Sequence, residues 1–336
     1  MFGRTLVMIL VGCVAVATLQ AAPITVKLAT QAPVNSSFHK ALQEMGASWE
    51  TATQGRVKLI VYAGGTQGSE EATILMMRPG VDQLQANMLT LPGLIRVDDA
   101  FNAFGVPFFF ESDAEGQHVL EKLTPVFEKR LEAKGFKLLA WATAGWVRLF
   151  SKQPIRTIAD LKNAKLFTSQ GDEKMIQWYK DNGFHPVALA AGDIPAQLKL
   201  RTGMIDAAPS PPYPALLLQI FRDAKFMLDV RVAPLYGAVV MTNDAWNKVD
   251  ANDRPAVVNG AKALEKRILG EAPKLDEDSV ATMKTRGLTV SSLDTAQTAA
   301  FRVEAEKLVT TMRGNMMPAE IYDAAVRERD AFRKRK

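Results

Sequence analysis

The 336-residue chain has one cysteine, Cys13, and only three histidines, His39, His118 and His185, which lie far apart. A single thiol excludes an internal disulfide, and no Cys/His spacing matches a zinc site, so neither a metal nor a cofactor is expected. No serine occupies a Gly-x-Ser-x-Gly elbow. The glycine-rich run Gly64-Gly65-Thr66-Gln67-Gly68 has neither the Lys-Ser/Thr of a phosphate loop nor the spacing of a dinucleotide fingerprint, which leaves it a tight strand-to-helix turn. With no assembled catalytic cluster, an enzyme is not expected. Net charge is small: 41 Lys+Arg against 36 Asp+Glu gives +5. The basic run Arg327–Lys336 reads as a solvated helix end, and no zinc knuckle or RNA-binding signature accompanies it, so nucleic acid is not an expected partner.

Long apolar runs are also missing beyond the first 22 residues; nothing else approaches the roughly 20 residues that cross a bilayer. Residues 1–22 carry Arg4, an apolar stretch from Leu6 to Ala17 and the small-residue end Leu19-Gln20-Ala21-Ala22, the layout of a secretory signal. Cleavage near Ala21 or Ala22 gives an exported, soluble protein. Cys13, preceded by Leu10-Val11-Gly12, also fits a lipoprotein-processing site, and lipidation there would tether the chain instead. Both routes stay open.

The remainder, about 310 residues with a 48% hydrophobic share overall, exceeds what one core organises and calls for two lobes. Strand patterns at Ile24–Ala29, Val57–Tyr62 and Gln85–Leu89 alternate with helical patterns at 37–53 and Ser69–Met77, the order of a mainly parallel sheet covered by helices. A helix over Val119–Ala133 and a strand over Lys137–Ala142 lead to a second αβ series, which includes a helix at 193–202 capped by Asp193 with Pro195 in its first turn. Pro209, Pro211 and Pro212 mark a turn. Strands at Lys225–Val230 and Leu235–Thr242 carry the chain back. A long helical pattern from about Asn252 to Arg286, bent at Pro273, is long enough to lie along both lobes. The expected division is 23–144 with 233–272 for the first lobe and 145–232 with 273–336 for the second.

The stretch Gly145–Phe167 shows the lobe crossing most clearly: a strand over Trp146–Ser151, a break at Pro154, a Thr157-capped turn over Ile158–Lys162, then another strand. Ser151, Lys152, Pro154, Ile155, Thr157, Asp160, Leu161, Lys162 and Lys165 together resemble the segment that opens the second lobe in the solute-binding proteins of tripartite ATP-independent periplasmic (TRAP) transporters, the DctP-like family. Further likenesses lie in Lys27-Leu28-Ala29-Thr30-Gln31-Ala32-Pro33 with Phe38-His39-Lys40, in Gly64-Gly65-Thr66-Gln67-Gly68-Ser69-Glu70, in Val106-Pro107-Phe108-Phe109-Phe110, in Gly203-Met204-Ile205-Asp206-Ala207 and in Trp246-Asn247-Lys248-Val249. The resemblance implies an α/β periplasmic binding protein fold with an interlobe cleft, no catalysis, and delivery of a small organic solute to TRAP membrane permease subunits.

One departure stands out. The resemblance places a carboxylate-clamping arginine two residues after Lys165, where this chain has Phe167, and an aromatic ring cannot form the paired N–H bonds of such a clamp. The expected ligand is therefore partly apolar or aromatic rather than a simple dicarboxylate. The candidate contacts are Gln31, Gln67, Gln85, Asn87, Ser169 and Ser210 as neutral partners, Trp146, Phe167, Tyr213 and Tyr236 as an aromatic lining, and Glu70. Trp141 and Pro211 are further lining candidates. Arg148 is the local substitute for the missing cation, either touching a ligand carboxylate or forming an ion pair, because strand parity sends Trp146, Arg148 and Phe150 to one face. The alternative to transport is a lipid-anchored periplasmic ligand sensor or an accessory protein that presents solute to another partner.

Overall fold

The computed structural model describes residues 23–199 and 202–335, so the signal-like segment and Cys13 lie outside the described residues. The first lobe is built from β1 (Ile24–Thr30), α1 (Ser37–Ala52), β2 (Val57–Tyr62), α2 (Glu70–Met76), β3 (Ala86–Thr90), α3 (Leu91–Val97), α4 (Asp113–Ala133) and β4 (Phe136–Trp146). The second continues with β5 (Arg148–Ser151), α5 (Ile158–Asn163), β6 (Lys165–Ser169), α6 (Glu173–Asp181), β7 (His185–Leu189), α7 (Ile194–Gln197), β8 (Ala207–Ser210), α8 (Pro212–Leu217) and β9 (Phe226–Leu228). The chain returns through β10 (Pro234–Thr242), α9 (Asn243–Lys248) and α10 (Arg254–Thr285), and closes with β11 (Thr289–Ser291), α11 (Thr295–Met312) and α12 (Ala319–Arg333).

Two sheets result, ordered β2-β1-β3-β10-β4 and β11-β9-β5-β8-β6-β7. Each is parallel except for one reversed strand: β10 runs against β3 and β4, and β5 against β8 and β9. Both reversed strands adjoin a lobe crossing. The chain leaves the first sheet at Val147 and re-enters it at Pro234, and the two crossings are stitched together, with Val147 N–H donating to Ala233 O at 2.9 Å and Val232 N–H to Val147 O at 3.1 Å. The 32-residue α10, which continues through Pro273, packs on α1 and β4 of the first lobe and on α8 of the second.

Alternation in β10 shows why the first sheet is covered on both sides. Ala238 and Val240 join the core under α3, α4 and α12, whereas Val239 and Met241 join the core under α1 and α10. Local chemistry sets many boundaries. Ser36 accepts from His39 N–H at the start of α1, and Thr157 with Asp160 forms a reciprocal capping box on α5.

Several expectations change. Asp193 makes no side-chain cap bond; it ends a 3-10 turn, and α7 is the short Ile194–Gln197. The proline-rich turn continues into α8, whose first turn holds Pro212, because proline lacks only an N–H that helix starts leave unpaired. The end of the chain does not sit as one block on the second lobe. Helix α11 contacts α5 there, but α12 packs on α4 of the first lobe, burying Ile321 and Ala325 in its core while Arg333 pairs with the buried Glu115. No described helix is long and apolar enough to cross a membrane.

Candidate ligand cleft

Parallel strands end together, and both sheets aim their carboxyl ends at the space between the lobes, the usual ligand position in open α/β sheets. Thr30 ends β1, Thr90 ends β3, Ser169 ends β6, Leu189 ends β7 and Ser210 ends β8, and all five line one cavity of about 560 Å³. Its floor is the crossing itself, with Thr143, Ala144, Val147 and Val232 to Gly237. This volume lies within the roughly 300–1,000 Å³ of small-molecule sites.

Of the residues expected at the site, Gln31, Glu70, Phe167, Ser169, Ser210, Pro211 and Tyr236 line this cavity. Gln31 holds the glycine turn, donating from Nε2 to Gly68 O at 2.9 Å. Ser210 donates to Pro211 O at 3.1 Å, while Ser169 has no side-chain hydrogen bond to another described residue. Phe167, 8% exposed, lines the cavity and belongs to the second lobe's core together with Phe150, Ile194 and Leu198.

The other seven stand outside the lining, among them Trp141, whose Nε1 donates to Thr124 Oγ1 at 2.9 Å in the first lobe's core. Gln67 is not among the lining residues. Gln85 is spent locally, accepting from Lys27 N–H at 3.0 Å and donating to Asp82 O at 2.8 Å. Asn87 is buried and donates to Thr73 Oγ1 at 2.7 Å. Trp146 donates from Nε1 to Asp113 at 2.9 Å and lies under the Arg231 guanidinium, 5.5 Å from the ring centre. Tyr213 braces the lobes: its hydroxyl accepts from Ser37 N–H at 2.9 Å, and its ring meets Phe38 edge-on at 5.4 Å. Arg148 is buried in an ion pair with Asp229 at 2.7 Å and donates to Trp146 O at 3.3 Å. The strand alternates as expected, and it is Val147, between Trp146 and Arg148, that faces the cavity.

Residues not anticipated from the sequence complete the walls. Met175 and Tyr179, one helical turn apart on α6, both face in, as do the 189–192 loop and Arg96 on α3. Arg96 is the sole basic residue among the described lining residues, opposite three carboxylates, Glu70, Glu71 and Asp172. Glu70 accepts from Thr90 N–H at 2.5 Å and from Thr90 Oγ1 at 2.7 Å at the start of α3; burial raises its pKa above the ordinary value against those hydrogen bonds. Burial likewise raises Asp172, although the Met175 amide and the charge of Arg96 pull the other way. Burial pushes the Tyr179 phenol up to about 12 and raises Tyr236 as well, so both stay neutral hydroxyls. No group of three or more His, Cys, Asp or Glu among the described residues is placed to hold a metal ion. The arrangement offers a largely apolar cavity with neutral polar groups, three carboxylates and one cation.

The chain is similar to known proteins throughout. Residues 28–315 match the DctP model, described as bacterial extracellular solute-binding protein, family 7. The 2,3-diketo-L-gulonate-binding periplasmic protein YiaO of Escherichia coli is 27% identical over 77% of this chain and 78% of its own. In fold, the chain matches DctP7 of Bordetella pertussis, an extracytoplasmic solute receptor binding pyroglutamic acid, with a TM-score of 0.83 at 18% identity, covering 91% of this chain and 99% of that one. A TRAP periplasmic solute-binding protein of Desulfovibrio salexigens with bound orotic acid gives 0.82 at 17% identity over 91% and 99%. A two-lobed fold with a cleft at its strand ends and a family match across nearly the whole described chain lead to one conclusion: the chain belongs to the DctP family of TRAP transporter solute-binding proteins.

Proposed function

We propose that this TRAP periplasmic solute-binding protein captures a partly apolar or aromatic organic solute between its lobes and presents it to the TRAP membrane permease subunits. The leader-like residues 1–22 export it for that role, whether by cleavage near Ala21 or Ala22 or by lipidation at Cys13. Small organic solutes are the family's business: of the relatives named above, two bind pyroglutamic and orotic acid, both ring compounds bearing a carboxyl group, and YiaO binds 2,3-diketo-L-gulonate, a sugar acid. The observation that carries the finer reading is Phe167: this residue in the middle of β6 lines the cavity where the resemblance calls for an arginine.

Closure follows from the same geometry. Only when the lobes approach do both walls touch the solute, so binding favours the closed form, with the stitched crossings and α10 as the hinge. The permease recognises that closed shape. Thermal-shift screening against matched aromatic acids and small dicarboxylates tests the reading. At about a hundred times Kd, an aromatic acid should stabilise the protein by about 2.7 kcal/mol, a Tm rise of several degrees. Stabilisation by succinate-like compounds alone would overturn it.

A further inference from the structure

If the solute carries a carboxylate, β6 and Arg148 cannot receive it: β6 presents Phe167, and the Arg148 guanidinium is buried against Asp229 outside the cavity. One cation remains. Arg96 sits in the last turn of α3, whose start is fixed by Glu70 through the amide and hydroxyl of Thr90, and its side chain crosses from the first lobe to the second. There it lies over Gly171, whose φ of +81° and lack of a Cβ leave the guanidinium its path. Both of its hydrogen bonds use Nη2, to Glu71 at 3.0 Å and to Gln170 O at 3.3 Å. Nε and Nη1 have no partner among the described residues, which leaves three N–H donors of a planar fork available beside an apolar cavity.

We propose that Arg96 is the residue that selects for a carboxylate in this protein, reaching the solute from the first lobe, and that its contact with Gln170 couples carboxylate binding to lobe closure. The inference rests on the cleft being the ligand site and deepens the reading above. Glu71 shares Nη2 of Arg96, and Glu70 and Asp172 also line the cavity, so the selection rests on the geometry of the free Nε and Nη1 donors, and a second carboxylate on the solute meets like charge with no further cation among the described lining residues.

The test uses acid and amide pairs of the same shape: benzoate with benzamide, phenylacetate with phenylacetamide, and succinate with succinamate, titrated calorimetrically into the wild-type protein, Arg96→Gln and Arg96→Lys. A charge-assisted pair contributes roughly tenfold to a hundredfold in affinity. For the tightest pair the wild type should prefer the acid by that factor, Arg96→Gln should bring the ratio within about threefold while the amide's own Kd holds, and Arg96→Lys should restore part of it. An unchanged ratio in Arg96→Gln, equal loss of acid and amide, or a wild type that does not prefer the acid overturns the proposal. Which pair is tightest tests the aromatic reading separately: a succinate optimum would end that reading while the Arg96 ratio still decides this one.

Discussion

Replacing Phe167 by alanine should weaken binding of a ring-bearing solute at least tenfold and lower stability by about 3 kcal/mol. The ring serves two surfaces. It belongs to the second lobe's core with Phe150, Ile194 and Leu198 and it also lines the cavity, so truncation both opens a void and removes apolar contact from the ligand. The stability loss belongs at the lower end of the Phe→Ala range because part of the void joins an existing cavity. Chemical denaturation gives the first number, and calorimetry below the transition gives the second. The exchange Phe167→Arg should act in the opposite sense on selectivity. It returns a guanidinium fork to β6, and the ratio of succinate to aromatic-acid affinity should rise by roughly a hundredfold. An unchanged ligand preference in both variants would mean that Phe167 does not touch the solute.

At Asp276 the expected effect is on stability and follows pH. This α10 residue accepts from Trp146 N–H at 3.0 Å where β4 gives way to β5, and its other oxygen, Oδ1, has no hydrogen-bond partner. The approach is close: a Cβ on Gly145, which sits at φ +102°, would come within 2.5 Å of both oxygens. Burial pushes the carboxyl up to about 6, with Asp113 adding to the rise, against the amides of Trp146 and Tyr213 and the charge of Arg148. A raised pKa means that the folded state holds the proton more tightly than the unfolded one. The associated stability is therefore complete below about 3.8 and is lost as pH climbs through about 6, a total of about 3 kcal/mol. Asp276→Asn keeps an acceptor for Trp146 and carries no charge. It should melt several degrees above the wild type at neutral pH and show no advantage near pH 4. Parallel melting curves of the two proteins across that range would contradict the assignment.

Local patterns made much of the fold legible. The Thr157–Asp160 capping box and the Asp-Leu-Lys turn are written within a few residues, and β10's alternation shows a strand buried on both faces. Phe167 was legible for the same reason, since its register follows Lys165 directly along β6. The cleft was harder because facing depends on a single residue's parity. Val147 lines it while Trp146 and Arg148 turn away, and Asn87 turns to Thr73 while Met88 lines it. Helix α3, seven residues long, is too short to show a period, so nothing in Leu91-Pro92-Gly93-Leu94-Ile95-Arg96-Val97 marked Arg96 as a cleft residue. Met175 and Tyr179 did carry a signal, the one-turn spacing on the amphipathic α6. The return of α12 to the first lobe had no local mark, because its buried stripe fits either lobe's core.

Native mass spectrometry of freshly purified protein reads directly which molecule the cleft holds. A retained, ring-bearing organic solute with one carboxyl group, released on denaturation and absent from Phe167→Ala, is the expected outcome. Retention of a small aliphatic dicarboxylate by the wild type, held equally by Phe167→Ala, would contradict it.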